Sequence, residues 1–267
     1  MAPTLGSTLR APVLVIAMSL LAVACSSPQA VLTSPPSTSA PARAGTPTTT
    51  GAAESPTASR TGSPAAATPT TAPNASTTVP FAATVTGVTA ADLGASWRPG
   101  CPVGPEDLRL VRLSFWGFDA APHTGAVVVH REVTDDIVAV FRRLYDERFP
   151  IRRMEPIDAF GGDDAASTAA DNTAAFNCRN AVASGPPRWS VHALGKAIDV
   201  NPVENPYLEG GEVLPPAGTA YVDRSQYRPG MAVDGGQLTE AFAQVGWYWG
   251  GAWSGTPDYQ HFSATGG

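Results

Sequence analysis

The chain has 267 residues, with 26 Gly, 26 Pro and only 15% charged residues, where a soluble domain usually carries about 25%; one folded domain plus a low-complexity portion is implied. A formal charge of −6 excludes a general nucleic-acid binder, which needs a basic footprint to displace counterions. Three cysteines are too few for a disulfide-built miniprotein or a cysteine-only zinc cluster.

Arg10 is the sole charge among the first 25 residues and precedes an apolar run from Ala11 to Ala24. The run is shorter than the roughly 20 residues a membrane span takes, and no second one follows, so a polytopic membrane protein is excluded. A positive start, a short apolar stretch and small residues at its end describe a secretory signal peptide over 1–25. Leu21-Ala22-Val23-Ala24-Cys25 resembles a bacterial lipobox, with Ala22 where Leu is usual. The resemblance implies that Cys25 is lipidated and anchors the mature chain to a membrane; a plain signal peptide with a chance cysteine is the alternative.

Residues 26–81 read as a tether. Of the 54 residues from 26 to 79, 43 are Pro, Thr, Ser or Ala, and the charges are Arg43, Glu54 and Arg60 alone. Such a segment buries too little apolar surface to offset its ordering entropy, so no fold is assigned to it. Its prolines favour extended chain, with an upper reach on the order of 170 Å at about 3.1 Å per residue. Three arginines and one glutamate fall in these first 79 residues, so the rest is two charges more negative than the whole chain.

Residues 82–267 are expected to form one α+β domain, a small antiparallel sheet flanked by helices. Leu108 to Phe118 begins with apolar–polar alternation and reads as a strand, and β-branched Thr124 to His130 as a second. Thr134 is expected to cap a helix with Asp135 and Asp136 in its first turn. Ile137, Val140, Phe141, Leu144 and Tyr145 follow helical spacing, and Pro150 is expected to end the helix. Ile151 to Ile157 reads as a strand. So does the apolar run Ala197 to Val200 around Asp199, stopped by Asn201-Pro202. Leu238, Ala241, Phe242 and Val245 mark a late helix ended by Gly246.

Two of the four histidines keep unusual company. His192 lies in Ser190-Val191-His192-Ala193-Leu194-Gly195-Lys196-Ala197-Ile198-Asp199, and His261 in Asp258-Tyr259-Gln260-His261-Phe262. A catalytic zinc site takes about three N or O ligands and keeps a position open. His192, Asp199 and His261 could supply that set, and a cation would make a carboxylate in an apolar strand tolerable. Asp258 could face the open position and accept a proton. His123 and His130 read as structural, and Trp247, Trp249 and Trp253 as core or pocket wall.

SVHALGKAID resembles the S-x-H-x-x-G-x-A-x-D signature of the LAS-type zinc peptidases, which include VanY-like and VanX-like D-Ala-D-Ala peptidases and phage cell-wall endopeptidases. DYQHF resembles their second signature, and Trp249-Gly250-Gly251-Ala252-Trp253 the lead-in of the subgroup with Asp as the acid. The likeness spans about 118 to 263. It implies a zinc site on the face of a small sheet, with His192, Asp199 and His261 as Zn²⁺ ligands, Asp258 as base and Ser190 facing substrate; Ser190 as a simple cap or turn residue is the alternative. Family members hold the substrate carboxylate with an upstream arginine. Arg179 is the nearest candidate, with Arg152 or Arg153 as substitutes. The implied activity is D-Ala-D-Ala carboxypeptidase on peptidoglycan stem peptides; an endopeptidase, or a zinc-containing but inactive wall-binding module, are the alternatives. A monomer tethered to the membrane and facing the cell wall is expected. With Cys25 lipidated, Cys101 and Cys178 remain, and export favours a disulfide between them.

Overall fold

A computed structural model describes residues 79–182 and 185–266. The signal segment, Cys25 and almost all of the tether lie outside the described residues. In chain order the elements are β1 (Ala83–Gly87), α1 (Ala90–Leu93), β2 (Leu108–Trp116), β3 (Pro122–His130), α2 (Thr134–Asp146), β4 (Arg153–Met154), α3 (Asp164–Ala169), β5 (Asn172–Thr173), β6 (Ala197–Asp199), β7 (Tyr207–Glu209), β8 (Glu212–Leu214), α4 (Gln237–Ala243), β9 (Tyr248–Trp249) and β10 (His261–Ser263). The architecture is mixed α and β. One antiparallel sheet has the order β1-β2-β3, and a smaller antiparallel sheet the order β6-β10-β9.

A single core joins the two sheets. Val111, Leu113, Val127 and Val129 of the first sheet meet Ile137, Phe141 and Leu144 of α2, Leu238 and Phe242 of α4, and Ile198 and Phe262 of the second sheet. Full burial of such a side chain is worth roughly 1.5–3 kcal/mol. The rings of Phe242 and Phe262 stack with centroids 4.2 Å apart, fastening α4 to β10. The five residues with helical spacing on α2 are all buried.

Local details depart from the sequence reading where the backbone leaves the regular regions. Thr134 is the first helical residue of α2 rather than its cap: a 3₁₀ turn over Arg131–Val133 feeds the helix, and the Thr134 hydroxyl donates back to the Arg131 carbonyl. α2 ends at Asp146, before Pro150, because Arg148 is left-handed at φ 54° and Phe149 N–H turns back to the Leu144 carbonyl. The strand expected over 151–157 shrinks to two residues, Arg153–Met154, paired parallel with Asn172–Thr173; Ile157 already opens a 3₁₀ turn after Pro156.

Two anchors hold the loops that carry the site. Cys101 and Cys178 are joined by a disulfide 77 residues apart in sequence, worth about 4.5 kcal/mol in the chain-entropy view. The second anchor is a polar knot under residues 201–206. Asn201 and Asn205 are fully buried, and their amides donate to the carbonyls of Pro150, Gly230 and Val200. Arg224 donates to the Glu204 carbonyl and the Asn205 side chain, and lies over the Tyr259 ring at 4.4 Å. Glu204 is 1% exposed. Burial, then its hydrogen bond to Asp171 and the Asp171 charge, push it up to about 8 against the pull of Arg152, 3.2 Å away.

Because the folded pKa of Glu204 is raised, the folded state binds the proton more tightly. Its contribution is therefore complete below the ordinary carboxylate range and is lost as pH climbs through about 8. Glu204→Gln keeps a donor toward Asp171 without titrating. Thermal unfolding from about pH 5 to pH 8 should show the wild type losing several degrees relative to Glu204→Gln. Parallel curves would refute the assignment.

Candidate active site

The register of β6 against β10 builds the centre. Asp199 lies opposite His261, and Ile198 opposite Phe262. Successive strand residues point to opposite faces, so Ile198 and Phe262 are at 0% exposure in the core while Asp199 and His261 share the other face. On the far side of β6, Ala174 and Asp199 exchange both backbone hydrogen bonds. His192 comes from a 3₁₀ turn over Val191–Leu194, stopped by Gly195 at φ 65°. A Cβ on Gly195 would stand 2.6 Å from the His130 nitrogen, so the glycine of the first signature serves both handedness and close packing.

Three donors converge. His192 Nε2 and His261 Nδ1 are 3.1 Å apart, and each is 3.3 Å from a different Asp199 oxygen. His192 Nδ1 lies 2.7 Å from the Ala175 carbonyl, which can only accept; Nδ1 therefore carries a proton, and Nε2 is the ring atom left to present a lone pair to a metal. Asp199 Oδ1 and His261 Nε2 are buried without a hydrogen-bond partner. Burial pushes Asp199 up, but the two imidazoles outweigh it and hold the carboxyl well below its ordinary range.

These residues fit a metal ion. Ligands about 2.0–2.1 Å from a tetrahedral zinc stand roughly 3.3 Å from one another, the spacing seen here. Two imidazoles and one carboxylate are a three-ligand set of the catalytic kind, and the carbonyl holding the far nitrogen of His192 is the usual support for a metal-binding histidine. His192, Asp199 and His261 form the group of this type among the described residues.

Asp258 enters from the turn before β10. Its N–H donates to the Gly250 carbonyl, and a Cβ on Gly250 would stand 2.7 Å from its carbonyl oxygen, so the glycine of the Trp249–Trp253 segment admits the Asp258 turn. Trp249 Nε1 donates to the Tyr259 carbonyl, 2.9 Å away. Asp258 Oδ1 is buried and unpartnered. Desolvation and then the Asp199 charge push Asp258 up to about 7, against His261, Arg179 and Gln260.

The centre opens into a cleft of about 620 Å³ that Arg179, Ser190, Tyr207, Trp253 and Asp258 also line. Ser190 fills its alternative role as well: its hydroxyl accepts from His192 N–H at 3.2 Å and caps the turn. Arg179 pairs with Asp164 at 2.9 Å. Arg152 and Arg153 are not in the cleft lining, which corrects them as carboxylate-binding candidates. Arg152 is drawn to Asp171 and Glu204 and lies over Phe118 at 3.8 Å, while Arg153 pairs with Glu155. The Ala175 carbonyl, Asp164 and Tyr207 were absent from the sequence reading. All three fall inside the stretch of resemblance from about 118 to 263, and the Tyr207 backbone bridges Asp258.

Residues 184–264 match the family model described as D-alanyl-D-alanine carboxypeptidase. That stretch holds both signatures and starts well after the expected onset near 118. No curated protein and no solved structure matches the chain.

His192→Ala, Asp199→Ala and His261→Ala each delete a ligand atom from the convergent set and should leave the purified protein without stoichiometric zinc. Asp258→Asn is nearly isosteric and leaves the three donors in place, so its zinc should stay near one per chain. Metal analysis beside thermal unfolding decides: zinc lost on Asp258→Asn would recast that residue as a ligand.

Proposed function

We propose that the domain is a zinc-dependent carboxypeptidase that removes C-terminal D-alanine from peptidoglycan stem peptides. The observation that carries the reading is Asp258, whose Oδ1 is buried and unpartnered, lining one cleft with two imidazoles and a carboxylate. A purely structural metal site has no use for such a carboxylate. The match of residues 184–264 to a carboxypeptidase family supports the same class of chemistry.

Zinc held by His192, Asp199 and His261 would supply a Lewis acid toward a carbonyl and an acidified water. The chain's own groups do the rest. Asp258 takes a proton from the attacking water and delivers it to the leaving amine, and its raised pKa suits an acid–base group that must carry a proton in both directions. The Ala175 carbonyl keeps the His192 ring in register throughout. Arg179 offers a guanidinium fork to the free C-terminal carboxylate, the group that separates a carboxypeptidase from an endopeptidase.

The N-terminal region completes the proposal. The segment through Cys25 acts as an export signal and lipid anchor, and the Pro/Thr-rich stretch holds a monomeric domain away from the membrane, facing the wall. Cys25→Ala should release the protein from the membrane fraction or leave its signal uncleaved, while the purified domain keeps its activity; unchanged membrane association with normal processing at residue 25 would contradict lipidation there.

Defined muropeptides incubated with the zinc-loaded protein, with and without chelator, and read by mass test the activity. Release of a terminal D-alanine that chelation abolishes is expected. Internal cleavage would make the protein an endopeptidase, and absence of product a binding module. Asp258→Asn should lower turnover about 10²–10⁴-fold, and near-normal turnover would sink the base assignment.

A further inference from the structure

Arg179 belongs to a segment whose backbone is held on several sides. Arg98 Nη1 donates to the Cys178 carbonyl, Cys178 is in the disulfide, and Ser190 N–H donates to the Arg179 carbonyl. The side chain itself is held by less. Its Nη1 reaches only the Asn180 carbonyl at 3.4 Å, a long contact. The closer one is an ion pair with Asp164, whose Oδ1 lies 2.9 Å from Arg179 Nε, although the buried Nε–H is not aimed at it, and accepts from Asn177 Nδ2 at 3.2 Å. Asn177 is 4% exposed, and its N–H donates to the His192 carbonyl. Asp164 thus ties the arginine to the segment that carries a metal ligand. Asp164 and Arg179 line the same cleft as that ligand.

We infer that Asp164 is a positioning residue: its ion pair with Arg179 fixes where the guanidinium stands in the cleft, so that it sets the preference for a free C-terminus. This rests on the proposed role of Arg179. A guanidinium offers donors along two edges, and a carboxylate engages one edge bidentately. A guanidinium held in one place presents such an edge to substrate without a search over rotamers. An arginine freed from its anchor samples many rotamers, and substrate must then select the productive one, which raises KM without changing the reacting atoms. Asp164 also subtracts charge from the arginine, so deleting it has an opposite effect that would tighten carboxylate binding. The two effects predict KM changes of opposite sign, and the inference commits to loss of position as the larger.

The test uses the zinc-loaded mature chain and one stem peptide in two forms, with a free and an amidated C-terminus. Wild type should prefer the free acid, and Arg179→Ala should abolish that preference. Asp164→Ala should raise KM for the free acid about tenfold, with kcat within about twofold and the amide unaffected, while zinc content and unfolding temperature hold. Asp164→Glu should recover part of the loss. If Asp164→Ala keeps the wild-type preference, or lowers KM, the inference falls even though Arg179→Ala shows the arginine at work. If wild type does not discriminate, or Arg179→Ala changes nothing, the role of Arg179 fails first and the inference with it. Should the alanine chain not fold, Asp164→Asn, which keeps the size and an oxygen acceptor, is read instead: a raised free-acid KM supports the inference, and an unchanged or lowered one overturns it.

Discussion

The pairing of β6 with β10 is the constraint from which the rest follows. Each strand is three residues long, and together they present one face to the core and the other to the cleft. Ile198 and Phe262 go to the core against α4, and Asp199 and His261 to the cleft. A slip of one residue would exchange the two sets, burying a carboxylate among apolar side chains and exposing Phe262. The core therefore specifies the register, and the register brings Asp199 and His261 to the same face. Ala174 on one edge of β6, and Trp249 on the far edge of β10, complete a narrow sheet whose neighbours present His192 and Asp258.

Two carboxylates in this centre are driven in opposite directions by environments a few residues apart. Asp199 is largely desolvated, yet the two imidazoles hold its carboxyl well below the ordinary range. Asp258 is desolvated with weaker compensation and feels the Asp199 charge, so it holds its proton more readily. Divergent environments for neighbouring acids are how one site keeps one group as a fixed anion and another as a proton carrier. Glu204, in the knot beneath the loops, is raised by the same kind of burial but sits with Arg152 and Asp171. There the shift bears on the cohesion of the loops.

Much of the centre was legible in the sequence because its residues sit at fixed offsets that local geometry demands. Gly195 is needed for a left-handed stop against His130, Gly250 for contact with the Asp258 turn, and the spacing from His192 to Asp199 for a turn feeding a strand. The buried stripe of α2 was legible for the same reason, periodicity. What could not be read depends on partners distant in sequence. Arg152 looked available, but Asp171 and Glu204 claim it from 19 and 52 residues away. Two-residue strands such as β4 and β5 exist only because the chain happens to bring Arg153 and Met154 beside Asn172 and Thr173. The end of α2 was misplaced because a non-glycine residue, Arg148, took the left-handed turn that composition assigns to no arginine.

The lock on the His192 ring has a different standing from every other part of the centre. Its acceptor is the main-chain oxygen of Ala175, an atom that all twenty amino acids possess. No substitution at residue 175 deletes it, so genetic drift at that codon leaves the tautomer untouched as long as the strand keeps its path. With His192 in place, losing it takes a rerouting of the backbone, which would also break the Ala174–Asp199 exchange next door. A contact of this sort leaves no trace of its own in an inventory of residue types. It is heritable through the fold rather than through any letter of the sequence.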